Sequence, residues 1–376
     1  MILEEFINDK KNMIDDLREF VELETPSTDK TMLDIFADYF VNYAKRKLGI
    51  DATLIPSENN GNDIKLVINE NVREQILLLC HYDTVFNAGT IKNHPFKIEN
   101  GKGYGPGIFD MKAGIIQTVY ALKYIIRENI NSKRIVLLLT SDEEIGSEFS
   151  RSIIEEEAKK SSYALVMEPS MNGMLKTERN GVGTIKIIVH GKSSHAGLDP
   201  DKGINAIYEL IDIIPIVKKM NSKEKGISLN LDIINGGTRS NVIPDYCEGI
   251  IDCRFKKQAD AEKFVNELKA VKPINHGASI EIESHLRPPM VRTKKTEALF
   301  NKIKNIGKDI GIELNETSVA GGSDGNFCSY YCPVIDGLGA VGNGAHSEDE
   351  YILVDSMPER SALLYSIIKN ISLYEP

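Results

Sequence analysis

The stretch QILLLCHYDTV, residues 75–85, decides the fold. Ile76–Cys80 is an unbroken apolar run with no polar alternation, the pattern of a strand covered on both faces inside a parallel sheet. His81 and Asp83 follow at once. In an open α/β sheet the carboxyl ends of the strands border the ligand crevice, so a polar pair at such an end is a candidate site.

Working outward, Phe6, Ile7, Ile14, Leu17, Phe20 and Val21 recur at helical spacing, and a second helix follows from about Asp29. Short β-rich runs cover Ala52–Ile55, Ile64–Ile68 and Gln75–Cys80. Helix Met111–Arg127, strand Arg134–Thr140, helix Glu148–Lys159 and strand Tyr163–Met167 continue the alternation. This predicts an α/β fold, a three-layer sandwich with a largely parallel central sheet.

The middle of the chain reads differently. Strand Thr184–His190, helix Gly203–Lys219, strands Ser228–Ile234 and Tyr246–Phe255, helix Ala259–Ala270 and strand Ser279–His285 give the βαββαβ order of a ferredoxin-like α+β unit. After Pro288-Pro289 the helix–strand alternation resumes and ends in a helix spanning Pro358–Leu373. The expected organisation is a catalytic domain in two parts, 1–177 and 288–376, interrupted by an inserted domain over 178–287.

Composition narrows the function classes. Of 376 residues, 41% are hydrophobic and 27% charged, an ordinary globular balance. The formal charge of −10 argues against nucleic acid as a partner. No run reaches the ~18 apolar residues of a membrane helix, and Glu4, Glu5 and Asp9 interrupt any signal-peptide core. Five cysteines without a CxxC pair fit a reduced chain, so a soluble cytoplasmic protein is expected.

Metal-capable side chains cluster where strands end. His81 and Asp83 follow one strand, Glu143 and Glu144 (SDEEIGS) follow RIVLLLT, and Glu168 (MEPS) follows YALVM. Asp110 lies in a Gly-rich loop before a helix, and His346 (GAHSEDE) follows the apolar segment Val334–Val341. Two imidazoles and three carboxylates suit borderline divalent metals, zinc above all. Two metals roughly 3.5–4 Å apart need a bridging carboxylate, and a spare carboxylate could act as general base. Asp83 is spaced to accept the second N–H of His81. Each residue has a plainer reading: SDEE as a helix N-terminus, Asp110 as a helix cap, Glu168 as a turn residue. Arg254 either forks onto a substrate carboxylate or pairs with Asp252. Cys80 alternates away from His81 into the core, and GYGPG is a turn-forming loop.

The segments LLLCHYDTV, GYGPGIFDMKAG, TSDEEIGS, MEPS, GKSSHAG, SNVIP, GGSD and GAHSEDEYI together resemble the di-zinc exopeptidases and amidohydrolases. That family includes glutamate carboxypeptidase, aminoacylase, acetylornithine deacetylase and succinyl-diaminopimelate desuccinylase. The run from HYDTVFNAGT to GYGPGIFDMKAG is most similar to the glutamate carboxypeptidase branch. The resemblance implies a fold of the zinc exopeptidase type, with the insert as lid and dimerisation domain. It implies two Zn2+ per chain, with cobalt or manganese as substitutes. Asp110 would bridge them across a cis Asp110–Met111 peptide. His81 and Glu168 would complete one metal site, Glu144 and His346 the other. Catalysis would rest on Glu143 as general base, with Asp83 and His195, the last reaching an active site across a homodimer interface. Asn241, Arg254 and Arg287, with Gly321 and Gly322, would bind the substrate, a small peptide or N-acyl amino acid with a free carboxylate. Asp324 reads as structural. The implied activity is glutamate-carboxypeptidase-like, with an N-acyl-amino-acid deacylase as alternative. A silent, metal-stabilised binding protein is the rival from another class, and an intact Glu143 speaks against it.

Overall fold

The computed structural model describes residues 2–372. Strand Gln75–His81 lies in the middle of a six-stranded sheet ordered Ala52–Ile55, Asp63–Ile68, Arg134–Thr140, Gln75–His81, Ser161–Val166, Val334–Ile335. Its partners Arg134–Thr140 and Ser161–Val166 both run parallel to it, and the antiparallel pairings are confined to the Ala52–Ile68 side. All seven residues of the central strand are buried. Ile76, Leu78 and Cys80 enter one apolar cluster with the helices Ile2–Glu22, Lys30–Leu48, Ala113–Arg127 and Ser356–Asn370. Leu77 and Leu79 enter another, with Arg151–Lys160 and Phe327. Helices therefore cover both faces, which makes three layers and explains the missing polar alternation.

Local chemistry sets the boundaries. Asp29 caps helix Lys30–Leu48 by accepting the Met32 N–H, and Gly49 ends it in a left-handed conformation after Lys45, Arg46 and Lys47. The helix expected from Met111 begins at Ala113, because Asp110 and Met111 have non-helical backbone angles. The helix expected from Glu148 begins at Arg151. The Asp142 carboxylate accepts the Phe149 and Ser150 N–H groups and keeps that segment as a capped loop. The last helix spans Ser356–Asn370, and Leu373, its expected end, lies outside the described residues.

A small antiparallel sheet went unread. Strands Lys97–Glu99, Lys102–Tyr104, Tyr351–Leu353 and Gly342–Asn343 lie side by side. The Tyr104–Tyr351 pair aligns the loop that leads to Asp110 with the segment that carries His346.

Contacts divide the chain into two units: residues 1–178, 290–319 and 323–376, and residues 179–289 with 320–322. Residues 320–322, expected in the second part of the catalytic domain, return to the inserted unit. There the Arg179 guanidinium donates to the carbonyls of Gly321 and Gly322. The inserted unit is a four-stranded antiparallel sheet ordered Ser228–Gly236, Tyr246–Phe255, Gly181–His190, Ser279–Arg287. Helices Ala206–Met220 and Gln258–Lys269 pack with one face of it, around Ile187, Leu210, Ile251, Phe255 and Phe264. The strand order matches the ferredoxin-like reading. No helix among the described residues is long and apolar enough to cross a membrane.

Candidate metal centre and active site

His81 ends the central strand, buried at 2% exposure. Its Nδ1–H donates to the Asp83 carbonyl at 3.0 Å, which leaves the Nε2 lone pair free to bind a cation. Nε2 lies 3.1 Å from Asp110 Oδ1 and 3.4 Å from Glu168 Oε1. The other oxygen of Asp110, Oδ2, lies 3.3 Å from His346 Nε2, which in turn is 3.3 Å from Glu144 Oε2. One carboxylate thus faces two imidazoles, each with a second carboxylate beside it. Ligand-capable atoms of His81, Glu143 and Glu168 also lie within 4.8 Å of one another, as do those of His81, Asp110 and Glu144.

Asp110 and Met111 are joined by a cis peptide, as the resemblance implied. His346 adopts a positive φ of 64° and is the cluster's half-exposed member. Glu350, unread in the sequence, accepts N–H groups from Gly107, Phe109 and Asp110 at 3.0, 2.7 and 2.8 Å.

Asp83 meets His81 through both its backbone and its side chain. The ring of His81 is held by the Asp83 backbone carbonyl, and the carboxylate Oδ1 stands farther off at 3.4 Å. The carboxylate also accepts the Ser27 hydroxyl and the N–H groups of Glu143 and Glu144. It is fully buried and holds the backbone of those two residues. Asp324, buried and accepting the Thr140 and Ser147 hydroxyls, is structural, as expected.

The electrostatics show which charges the cluster sets against one another. Burial opposes a charged His81, but hydrogen bonds to Asp110, Asp83 and Glu168 hold it well above the usual imidazole range. The carboxylates of Asp110 and Glu144 push His346 up to about 11. Burial works against the Asp110 charge, yet the two imidazoles keep its carboxyl well below the usual range. Burial raises Glu144 to about 7, and its Oε1 is buried without a hydrogen-bond partner. An orphaned carboxylate oxygen in a nest of carboxylates and imidazoles is the donor chemistry of a dinuclear site, so the residues fit a pair of divalent cations.

The inserted unit holds the remaining expected residues in two groups. His195 lies on a short strand paired with Val242–Ile243, and the Asn241 carbonyl accepts the Ala196 N–H, so these two are neighbours. His195 is exposed, and its Nδ1 accepts the N–H groups of Gly197 and Leu198. Arg254 and Arg287 flank Val182 from the two neighbouring strands. They sit at the far end of the sheet from the His190–Tyr246 pair, beyond which His195 and Asn241 lie. At about 3.3 Å per residue, the eight steps from Tyr246 to Arg254 cover roughly 26 Å. One chain therefore does not bring Asn241 and Arg254 around the same carboxylate. Arg254 is forked onto Asp252 through Nε and Nη2, the plainer of its two readings. Arg287 is buried, and Gly322 is needed beside it, since a Cβ there would meet Val182 Cγ2 at 2.7 Å. At Gly321 a Cβ would have no neighbour closer than 4.0 Å. Arg179, nearly fully buried, was missed because TERNG reads as a solvated turn.

Known proteins share this chain's features. It is similar to carboxypeptidase G2 of Pseudomonas sp. (strain RS-16), at 30% identity over 370 residues, 96% of this chain and 89% of that protein. It is also similar to succinyl-diaminopimelate desuccinylase of Roseobacter denitrificans, at 29% over 308 residues, 75% and 78% of the two chains. Among solved structures, the M20 family metallo-carboxypeptidase Sso-CP2 of Sulfolobus solfataricus shares the fold. Its TM-score is 0.76 at 18% identity, covering 95% of this chain and 98% of that one. Bacillus subtilis YXEP, a dinuclear metal-binding peptidase, gives 0.70 at 14% identity, with 96% and 97% covered. The model of peptidase family M20/M25/M40 matches residues 77–370, and the chain belongs to that family.

Proposed function

We propose that this metal-dependent hydrolase is a di-zinc exopeptidase that cleaves the amide bond next to a free C-terminal carboxylate, with glutamate-ended substrates preferred. The observation that carries the reading is the bridging geometry of Asp110, one oxygen towards His81 and the other towards His346. His81 and Glu168 would hold one cation, Glu144 and His346 the other. When bound, a pair of such cations polarises a carbonyl and acidifies water. Glu143 is the general base: it takes the proton of the attacking water and returns it to the leaving amine. Its backbone is fixed by Asp83, which supports such a role. His195 would supply a hydrogen bond to the developing oxyanion.

The substrate carboxylate would be met by Asn241, Arg254 and Arg287, with close backbone approach at Gly321 and Gly322. Because Asn241 and Arg254 are far apart in one chain, this reading calls for a homodimer in which His195 and Asn241 act in trans. Exposed Tyr208, Ile211, Ile233 and Ile234 on the inserted unit support a protein-covered face. The five buried, free cysteines support a cytoplasmic setting.

The similarity to a desuccinylase favours a second reading, an N-acyl-amino-acid deacylase. A panel of peptidyl and N-acyl amino acids, assayed with zinc-, cobalt- and manganese-loaded protein, separates the two. Release of glutamate from glutamate-ended substrates is expected to lead. Faster turnover of acetyl-ornithine or succinyl-diaminopimelate would move the assignment to the deacylases, and no turnover in any metal form would refute both.

A further inference from the structure

Glu350 is 2% exposed and stands about 240 residues from the backbone it grips. Oε2 accepts the Gly107 N–H, and Oε1 accepts those of Phe109 and Asp110. The backbone they belong to has no regular partner to offer them. Gly105 and Gly107 have positive φ, and Asp110 and Met111 leave helical geometry. Buried N–H groups in such a loop must find an acceptor, and a carboxylate can take several at once. Nearby, the buried Lys112 amine donates to the Leu23 carbonyl; burial lowers it to about 7, and Glu350 acts against that shift.

Glu350 is also four residues from His346. The intervening segment is wound tight, with Ser347 N–H donating to Gly344 and Glu350 N–H donating to Ser347. Beyond it, Tyr351 pairs with Tyr104. A shift of this one carboxylate would therefore disturb Asp110 and His346 together. His81 is set by the central strand, Glu144 by Asp83, and Glu168 follows strand Ser161–Val166.

We propose that Glu350 is the positioning residue that seats the bridging carboxylate and ties it to His346, so that the His346–Glu144 half of the metal centre depends on it more than the His81–Glu168 half. The proposal rests on the two-metal reading above. Glu350→Gln keeps the shape and one acceptor oxygen but turns an NH2 towards a backbone N–H, and Glu350→Ala removes all three bonds.

The test uses the full chain, stripped of metal and then titrated with zinc. In the metal-free protein, amide exchange across residues 105–112 should quicken by about tenfold or more in both variants, while residues 75–81 stay protected. The second zinc equivalent should bind about 10–100-fold more weakly, with a smaller change in the first. The kcat should fall with KM nearly held, and the Gln variant should sit between Ala and wild type. Equal weakening of both steps, unchanged affinities, or unchanged exchange at 105–112 would overturn the proposal. If the Ala variant fails to fold, the Gln variant alone decides. A wild-type chain that binds no zinc would sink the hydrolase reading, and the exchange result would still decide whether Glu350 holds this loop.

Discussion

In the unit that carries the metal centre, burial drives several carboxyls upward, while the imidazoles of His81 and His346 hold Asp110 down. Burial leads in raising Glu144 to about 7, and Asp63 and Glu350 to about 8. In the inserted unit the contrast is Glu248, which is partly buried and is lowered to about 2 by hydrogen bonds to Lys186, Tyr246 and Asn235. Around the metal centre, negative charge is confined where cations or protons relieve it, whereas Glu248 is relieved by a lysine partner on its own sheet. The same division holds for the site residues. Glu143 and Glu144 hang from a buried Asp83, whereas His195 is exposed on a short strand and Arg254 pairs with Asp252 on its own strand. The metal-bearing unit is built to hold geometry before a substrate arrives. The inserted unit carries its candidate groups apart, and the proposed homodimer would bring them together.

The largest effect expected from breaking this contrast comes from Glu143→Gln. Turnover should fall by about 10²–10⁴-fold, as for loss of a general base, while zinc content by elemental analysis stays at wild-type level. Loss of metal along with activity would make Glu143 a ligand and remove it from proton transfer.

A smaller effect tests the inserted unit. His195→Ala alone should lower turnover by about 10²-fold, the scale of one oxyanion donor. Mixing it with Glu143→Gln protomers should restore about a quarter of wild-type activity, since half the dimers would be mixed and each would hold one complete site. Verified mixed dimers without recovery would mean that His195 acts within its own chain or not at all.

The smallest effect concerns Asp63, whose carboxyl is raised first by burial and then by the nearby Asp142 carboxylate. Its Oδ1 accepts the Ser141 N–H and hydroxyl, and its Oδ2 has no partner. A raised folded-state value means that its contribution is fully present below about pH 4 and lost as pH rises through about 8. The Tm of wild type should therefore drop relative to Asp63→Asn between pH 5 and about 9. Parallel melting curves across that range would show that Asp63 ionises freely in the fold.

Long, strongly patterned elements were legible from the residues alone. The apolar run at Ile76–Cys80 and the βαββαβ order of the insert needed only period and length. The small sheet did not register, because strands of two or three residues such as Gly342–Asn343 carry no period. Glu350 was hidden for a related reason. In SEDEY, Glu348, Asp349 and Glu350 look alike, yet Glu348 is exposed and Glu350 is buried, and only the pairing with residues 102–104 decides which turns inward. The helix start at Ala113 was masked by the good helix formers Met111 and Lys112, overridden by the turn that aims Asp110. Arg254 could be read two ways because its two carboxylate options differ only in which strand end lies nearby.

The central strand sends alternate side chains into two separate apolar clusters, so it cannot peel from one without abandoning the other. His81 therefore stays fixed until the whole unit melts, while the Asp110 and His346 loops lean on Glu350 and a short strand pairing. Chelation would thus leave half of the cage standing as a ready foothold, and reloading would be a matter of closing loops rather than of refolding a protein.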